Sequence, residues 1–449
     1  MRGLHSSSRV AVGLRIAGAI ASLGAATGCA SGGLAGATRA AERGDLAALR
    51  TEITSRGARG SLSNDDAAAL ARAVATHDVR VAPKEEARAR VREIRSCASD
   101  LDDLLSERMK THDAAGAEAA LTRVEDGRLD AGDARRFASD ADDRWRAVGA
   151  RALTRDEDVA ARQKALVDPA PEVRRSAARA AAEAKAAGDF DLLAESTRLD
   201  PDPMVRTLAG RALAQTGGAR VVARLRDLWV NADDPLREDI ARAWATPGLF
   251  DAGGREELRV LLSQGHGSPA IDGAAALLGA GARAGHAPDR ELDASARALL
   301  SRTIEAGSER DRLHAIAIAP LDGVILASIR AASRDADVQV AASALARLTE
   351  SAPDRAASIT ALEALAGQKD RSAVASRARL ALATAGDLRV QAWLEADLAA
   401  PEPSARLSAA DALAALGRSA RAAPLLVDPD ASVRVRAACT LITGARRRH

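Results

Sequence analysis

The chain has 449 residues, room for two to four ordinary domains or one elongated array. Its apolar content is 47% but aromatics are only 2%, tyrosine is absent and alanine dominates, which favours close-packed helices and argues against a sheet. With 64 basic residues against 62 acidic ones, a dedicated nucleic-acid surface is excluded, and the basic residues, mostly arginine, suit planar ion pairs within a fold.

The first segment has the layout of a secretion signal. Arg2, Arg9 and Arg15 form a basic front, Ile16 to Thr27 a short apolar stretch, and small residues lead to Cys29. The stretch is shorter than the ~20 apolar residues of a membrane-spanning helix. Ala26-Thr27-Gly28-Cys29 resembles the lipobox of bacterial lipoproteins, with Ala26 in place of the usual leucine. The resemblance implies that Cys29 is acylated, palmitate included, and becomes the first residue of the mature chain. Ala30 after it implies the outer membrane, facing the periplasm. An ordinary signal peptide cleaved after Ala30 is the alternative. The organisation expected is a signal peptide at 1–28, a flexible tether at 29–37 reaching ~15 Å, an irregular helical cap at 38–139 and a repeat array at 140–449. Within the cap, Ala40–Gly60 reads as one helix pair and Pro83 opens a long helix.

From Asp140 onward one pattern returns. Taking Val205 as position zero, Leu208, Ala209, Ala212 and Leu213 follow at i+3, i+4, i+7 and i+8, the stripe of a one-faced helix. Asp200 or Asp202 caps it, Pro203 sits in its first turn, and Gly217 and Gly218 end it. Strong copies open at Trp145, Val173, Leu236, Ala405 and Val433, weaker ones at Ile271, Leu313, Val338 and Val374. A period near thirty that holds two helices marks an all-α superhelical array, an α-solenoid. Ten pairs stacked ~10 Å apart would make a rod on the order of 100 Å. In such a rod Cys97 and Cys439 could not meet, and both are expected to stay unpaired.

The shared pattern D-x-x-[VLA]-R-x-x-[AL]-A-x-x-A-L, best at Asp168–Ala181, Asp200–Leu213 and Asp428–Leu441, resembles HEAT repeats of the short bacterial kind related to phycobilisome lyases. The resemblance implies a ladder in which Arg146, Arg174, Arg206, Arg237, Arg406 and Arg434 bond turn aspartates such as Asp200. Asp272 and His314 fall in the arginine slot of weak copies and interrupt it there.

No motif carries chemistry. Gly279, Gly281 and Gly285 follow a helical stripe rather than a strand, so they read as a turn and not a dinucleotide loop. Asp140, Asp142 and Asp143 lack the glycine and glutamate of a calcium loop and read as helix capping. His77, His112, His266, His286 and His314 are too scattered for a metal site. No cofactor, metal or catalytic residue is therefore expected. Trp145 and Trp244 fall on their stripes and belong to the core, whereas Trp393 is a candidate for lining a groove. The function expected is that of a membrane-anchored envelope lipoprotein, not an enzyme, whose solenoid is a scaffold for a protein partner and not for nucleic acid. A lyase-like enzyme and a passive spacer are the alternatives.

Overall fold

The structure, a computed structural model, describes residues 31–279, 289–368 and 373–446. Among them it is all helical, an α-solenoid without strands. The amino-terminal helices are α1 (Ser31–Glu42), α2 (Leu46–Ala58), α3 (Asn64–Val81), α4 (Lys84–Glu93), α5 (Asp102–Met109), α6 (Ala114–Glu125) and α7 (Ala131–Phe137). The array proper then alternates two kinds of helix. Those carrying the repeated stripe are α8 (Asp143–Arg151), α10 (Pro171–Ala184), α12 (Pro203–Thr216), α14 (Asp234–Trp244) and α16 (Ser268–Leu278). The series continues with α18 (Glu309–Ile318), α20 (Val338–Leu348), α22 (Ala373–Thr384), α24 (Pro403–Ala415) and α25 (Ala431–Arg446). Between them lie α9 (Val159–Leu166), α11 (Phe190–Leu199), α13 (Ala219–Trp229), α15 (Arg255–Gln264) and α17 (Arg290–Ala306). These are followed by α19 (Gly323–Ala332), α21 (Arg355–Ala366), α23 (Gln391–Asp397) and a 3₁₀ segment, Ser419–Val427. Each expected stripe opens on its own helix, although the one from Leu313, expected to run to Leu321, outlasts α18, which ends at Ile318.

Local chemistry explains where these helices begin. Asp142, Asp202, Asp233 and Asp337 accept from the first free N–H groups of α8, α12, α14 and α20. Pro171, Pro203 and Pro403 occupy first positions, where a missing N–H costs nothing. Each striped helix packs on the next along the whole array, while the connecting helices, α17 and α19 excepted, touch their own neighbours less. Alanine at positions such as Ala177, Ala209, Ala241 and Ala410, all fully buried, permits the close approach.

The array does not end as a rod. The last helix, α25, packs on α3, α4 and the 3₁₀ turn Arg95–Asp100, while α6 and α7 pack on α8. The amino-terminal segment therefore touches both the last repeat and the first, and the circuit of contacts closes into a ring. One hydrophobic cluster holds Leu49, Leu70 and Val91 together with Leu413, Leu426 and Ile442. Asn64 donates to the Gly417 carbonyl and accepts from the Ala420 N–H, and Ser432 donates to Glu93. Cys97 and Cys439, 342 residues apart, form a buried disulfide with Cα atoms 5.2 Å apart. The expectation of free cysteines fails because it assumed an open array.

Two further expectations are corrected. The segment 31–37, read as tether, is the first half of α1, and Ala37 is already buried. The long helix from Pro83 is broken at Arg95–Asp100, where Cys97 leaves helical backbone angles as it turns toward Cys439. Glu118 of α6, almost wholly buried, ties the broken segment together. Burial works to raise its pKa, but hydrogen bonds and charges from Arg88, Arg92 and Arg95 hold it below the usual carboxylate range.

The closure gives a direct test. Under denaturing, non-reducing conditions the described cysteines should react with no thiol reagent. In the secreted form, Cys97→Ala/Cys439→Ala should lower the urea midpoint, with a loss on the order of 5 kcal/mol at most from the released loop constraint. Two titratable thiols in the oxidised protein would contradict the ring.

Candidate interaction surface

In several repeats the register is held by an aspartate two positions before the helix cap. Asp168, Asp200, Asp335 and Asp428 each accept the N–H of the residue two positions on, at 2.8–2.9 Å, which folds the turn. The same carboxylates receive arginine from the preceding striped helix. Arg146 Nε donates to Asp168 at 3.0 Å and Arg174 Nε to Asp200 at 2.7 Å. Arg312 pairs with Asp335, and Arg406 Nε lies 2.8 Å from Asp428. Arg146, Arg174 and Arg406 also donate to two carbonyls of the turn that opens their own helix, so one guanidinium joins two turns.

The rung is lost where the turn residue changes. Arg206 is held by the carbonyls of Asp200 and Pro201, and Arg237 by those of Trp229 and Val230. Counting back two positions from the next caps, Asp233 and Gly267, gives Asn231 and Gly265, and neither can supply a carboxylate. The slot assigned from the stripe to His314 belongs instead to Arg312, because the weak stripe misplaces the phase. Ala341 stands in that slot of α20, since Asp335 and Asp337 set its register. The last rung crosses the closure: Arg434 Nε donates to Asp78 of α3 at 2.8 Å and its Nη1 to the Asp428 carbonyl.

A second row of charges joins neighbouring striped helices. Arg175 pairs with Asp202, Arg211 with Asp239, and Arg242 with both Asp239 and Asp272. His314 Nε2 approaches Asp272 at 2.8 Å, so this buried carboxylate binds α14, α16 and α18 together. Shared between a guanidinium and an imidazole, Asp272 acts as a junction of three helices. Among the described residues no group of three or more His, Cys, Asp or Glu could hold a metal ion.

At the closure the outer surface is hollow. The short segment Ser419–Val427 lies between α23 and the end of α2, leaving a cleft of about 910 Å³. Ile53, Leu398 and Leu425 supply apolar lining, and Arg50, Arg418 and Arg421 stand in its wall. Arg50 donates to the Val427 carbonyl at 3.1 Å, and Arg421 lies 3.6 Å from Glu395. Trp393, expected to line a groove, is half-buried beside Gly367 on the flank of the shared core cluster. Trp145 is fully buried, stacked on His112 with centroids 4.6 Å apart, and Trp244 is buried against Trp229. Cys29, Gly281, Gly285 and His286 lie outside the described residues.

The family model for HEAT repeats matches residues 159–245, which span α9 to α14. A crystal structure of an engineered protein is 19% identical, covering 83% of this chain and 98% of that one, with a TM-score of 0.24. No curated protein of similar sequence was found.

The turn rule predicts that Asn231→Asp restores the missing rung with Arg206 and adds about 0.5–1 kcal/mol of stability, read from urea denaturation. Breaking a half-buried rung with Arg174→Ala should cost about 2–4 kcal/mol, chiefly by stranding Asp200.

Acid should weaken the same turns. Burial works to raise the pKa of Asp168, yet its bonds from Arg146 and the Ala170 N–H leave it lowered. Asp335 is lowered by Arg312, and Asp142, bonded by Arg144, falls to about 2. Carboxylates depressed on folding contribute stability above their unfolded pKa of about 4 and lose it as pH falls through the folded values. Melting temperature followed by circular dichroism should hold near pH 5 and fall between about pH 4 and pH 2.

Proposed function

We propose that this chain is a lipid-anchored protein of the bacterial envelope whose ring of HEAT-like repeats holds a protein partner and catalyses no reaction itself. HEAT repeats generally mediate contacts between proteins, and that supports the coarse reading. The observation that carries it further is a row of exposed apolar side chains at one register. Val167, Leu199 and Val230 are 63%, 61% and 70% exposed, and each directly precedes the turn position of its repeat, Asp168, Asp200 and Asn231. Single exposed apolar residues are ordinary. Three at one register of successive repeats, ~10 Å apart by the spacing of packed helices, form a row of apolar side chains along the array.

The last repeat supports this use of the register. There the equivalent residue, Val427, is only 6% exposed, in one cluster with Leu49 and Ile53 of α2, and Arg50 bonds its carbonyl. Where a neighbour is available the register is covered by a helix. Where none is, the strip stands open to another chain.

The address rests on the lipobox-like segment ending at Cys29, with Ala30 favouring the outer membrane. The disulfide supports an oxidising compartment.

Cross-linked pull-down from native envelopes tests both parts. The wild type should retain one partner at comparable amount, and Val167→Arg/Leu199→Arg/Val230→Arg should retain at least tenfold less. Equal recovery would sink the strip as a binding face. Cys29→Ser should leave the membrane fraction, and its retention there would remove the anchor.

A further inference from the structure

The geometry points to the outer end of the closure, where the end of α2 meets Ser419–Val427, as the face that the molecule lays on an anionic lipid surface. This rests on the anchored reading above. The argument starts from chain distance. Helix α1 begins at Ser31, so Ala30 alone separates it from Cys29. Two residue steps span at most about 7 Å, so an acyl group on Cys29 fixes the start of α1 close to the bilayer. The chain then turns back through residues 43–45, where the Asp45 N–H bonds the Ala40 carbonyl, and α2 packs along α1. In such a hairpin the start of α1 lies beside the end of α2.

That end carries the right chemistry. Gly57, Ala58 and Gly60 form the lip of the cleft at the closure. Arg50, Arg418 and Arg421 are exposed in its wall against Glu395 and Asp428, and Arg59 is exposed between the lip residues Ala58 and Gly60. Arginines attract anionic lipid over a Debye length, ~8 Å in physiological salt. Ile53, Leu398 and Leu425 inside the cleft offer apolar surface next to this rim. A tether of nine flexible residues would let any face turn toward the membrane. A helix that starts two positions after the anchor selects this one.

The test uses the unacylated secreted form beginning at Ala30, which contains every described element. Its sedimentation with vesicles of 30% phosphatidylglycerol in phosphatidylethanolamine should exceed that with pure phosphatidylcholine at least tenfold, and 0.5 M salt should abolish the difference. Arg59→Glu/Arg418→Glu/Arg421→Glu should bring anionic binding down to the phosphatidylcholine level with an unchanged circular dichroism spectrum. Arg135→Glu/Arg155→Glu/Arg310→Glu, elsewhere on the ring, should change it less than twofold. Equal binding to both vesicles, or equal loss in the two triple variants, would overturn the assignment of this face. Palmitate labelling of wild type against Cys29→Ser reports on the anchor separately: its absence would overturn the anchored reading, whatever the vesicles show.

Discussion

A helix pair with an apolar face on either side must find a neighbour on both, and a finite stack of such pairs has two ends that cannot. This constraint organises the whole molecule. Capping each end with a polar helix is one solution. Here the amino-terminal helices α1 to α6 serve both ends at once, covering α25 with α3 and α4 and meeting α8 through α6. The amino-terminal segment and the last repeats consequently share one hydrophobic cluster, with Leu70 and Val91 beside Leu413 and Ile442, while Trp145 and Val148 of α8 pack in another with Ala120 and Phe137. The polar rung from Arg434 to Asp78 continues across the junction the bonding that links internal repeats, and the disulfide makes the closure covalent.

Register within the array is set by turns more than by helix faces. One aspartate folds its own turn by accepting an N–H two positions on and also anchors the arginine of the preceding repeat. Because both bonds fall on one carboxylate, changing that residue removes the rung while the helix that follows keeps its stripe. Asn231 and Gly265 show this: Leu236 and Ile271 remain buried on their helices although Arg206 and Arg237 have only carbonyls to bond among the described residues.

What was legible in the sequence divides along the same line. The stripe depends on residues within one helix, so the existence of the striped helices, the capping before Trp145 and Val205 and the burial of Trp145 and Trp244 could be read from local spacing. The ladder was readable where turn and stripe agree, as at Arg174 and Asp200. It was misread at Arg312, where the apolar stripe is thin and only the turn pair Asp335 and Asp337 marks the phase. Closure left no periodic signal, because Cys97 and Cys439 meet across 342 residues. The glycine-rich start of α1 concealed a helix that exists because Ala37, Ala40 and Ala41 are covered by the hairpin it forms.

Closure also changes what the repeats can do for a partner. An open solenoid flexes between repeats, and a protein that binds across several of them must first bring those repeats into one arrangement. A ring fixes that arrangement beforehand, so on the proposed reading the strip at Val167, Leu199 and Val230 meets its partner with its spacing already set and less ordering cost on binding. The bond that secures the ring forms only where thiols oxidise. On the proposed reading, the compartment that receives the anchored chain is therefore the one in which its binding surface takes its final shape, and the same molecule kept in a reducing compartment would retain the repeats without the covalent clasp.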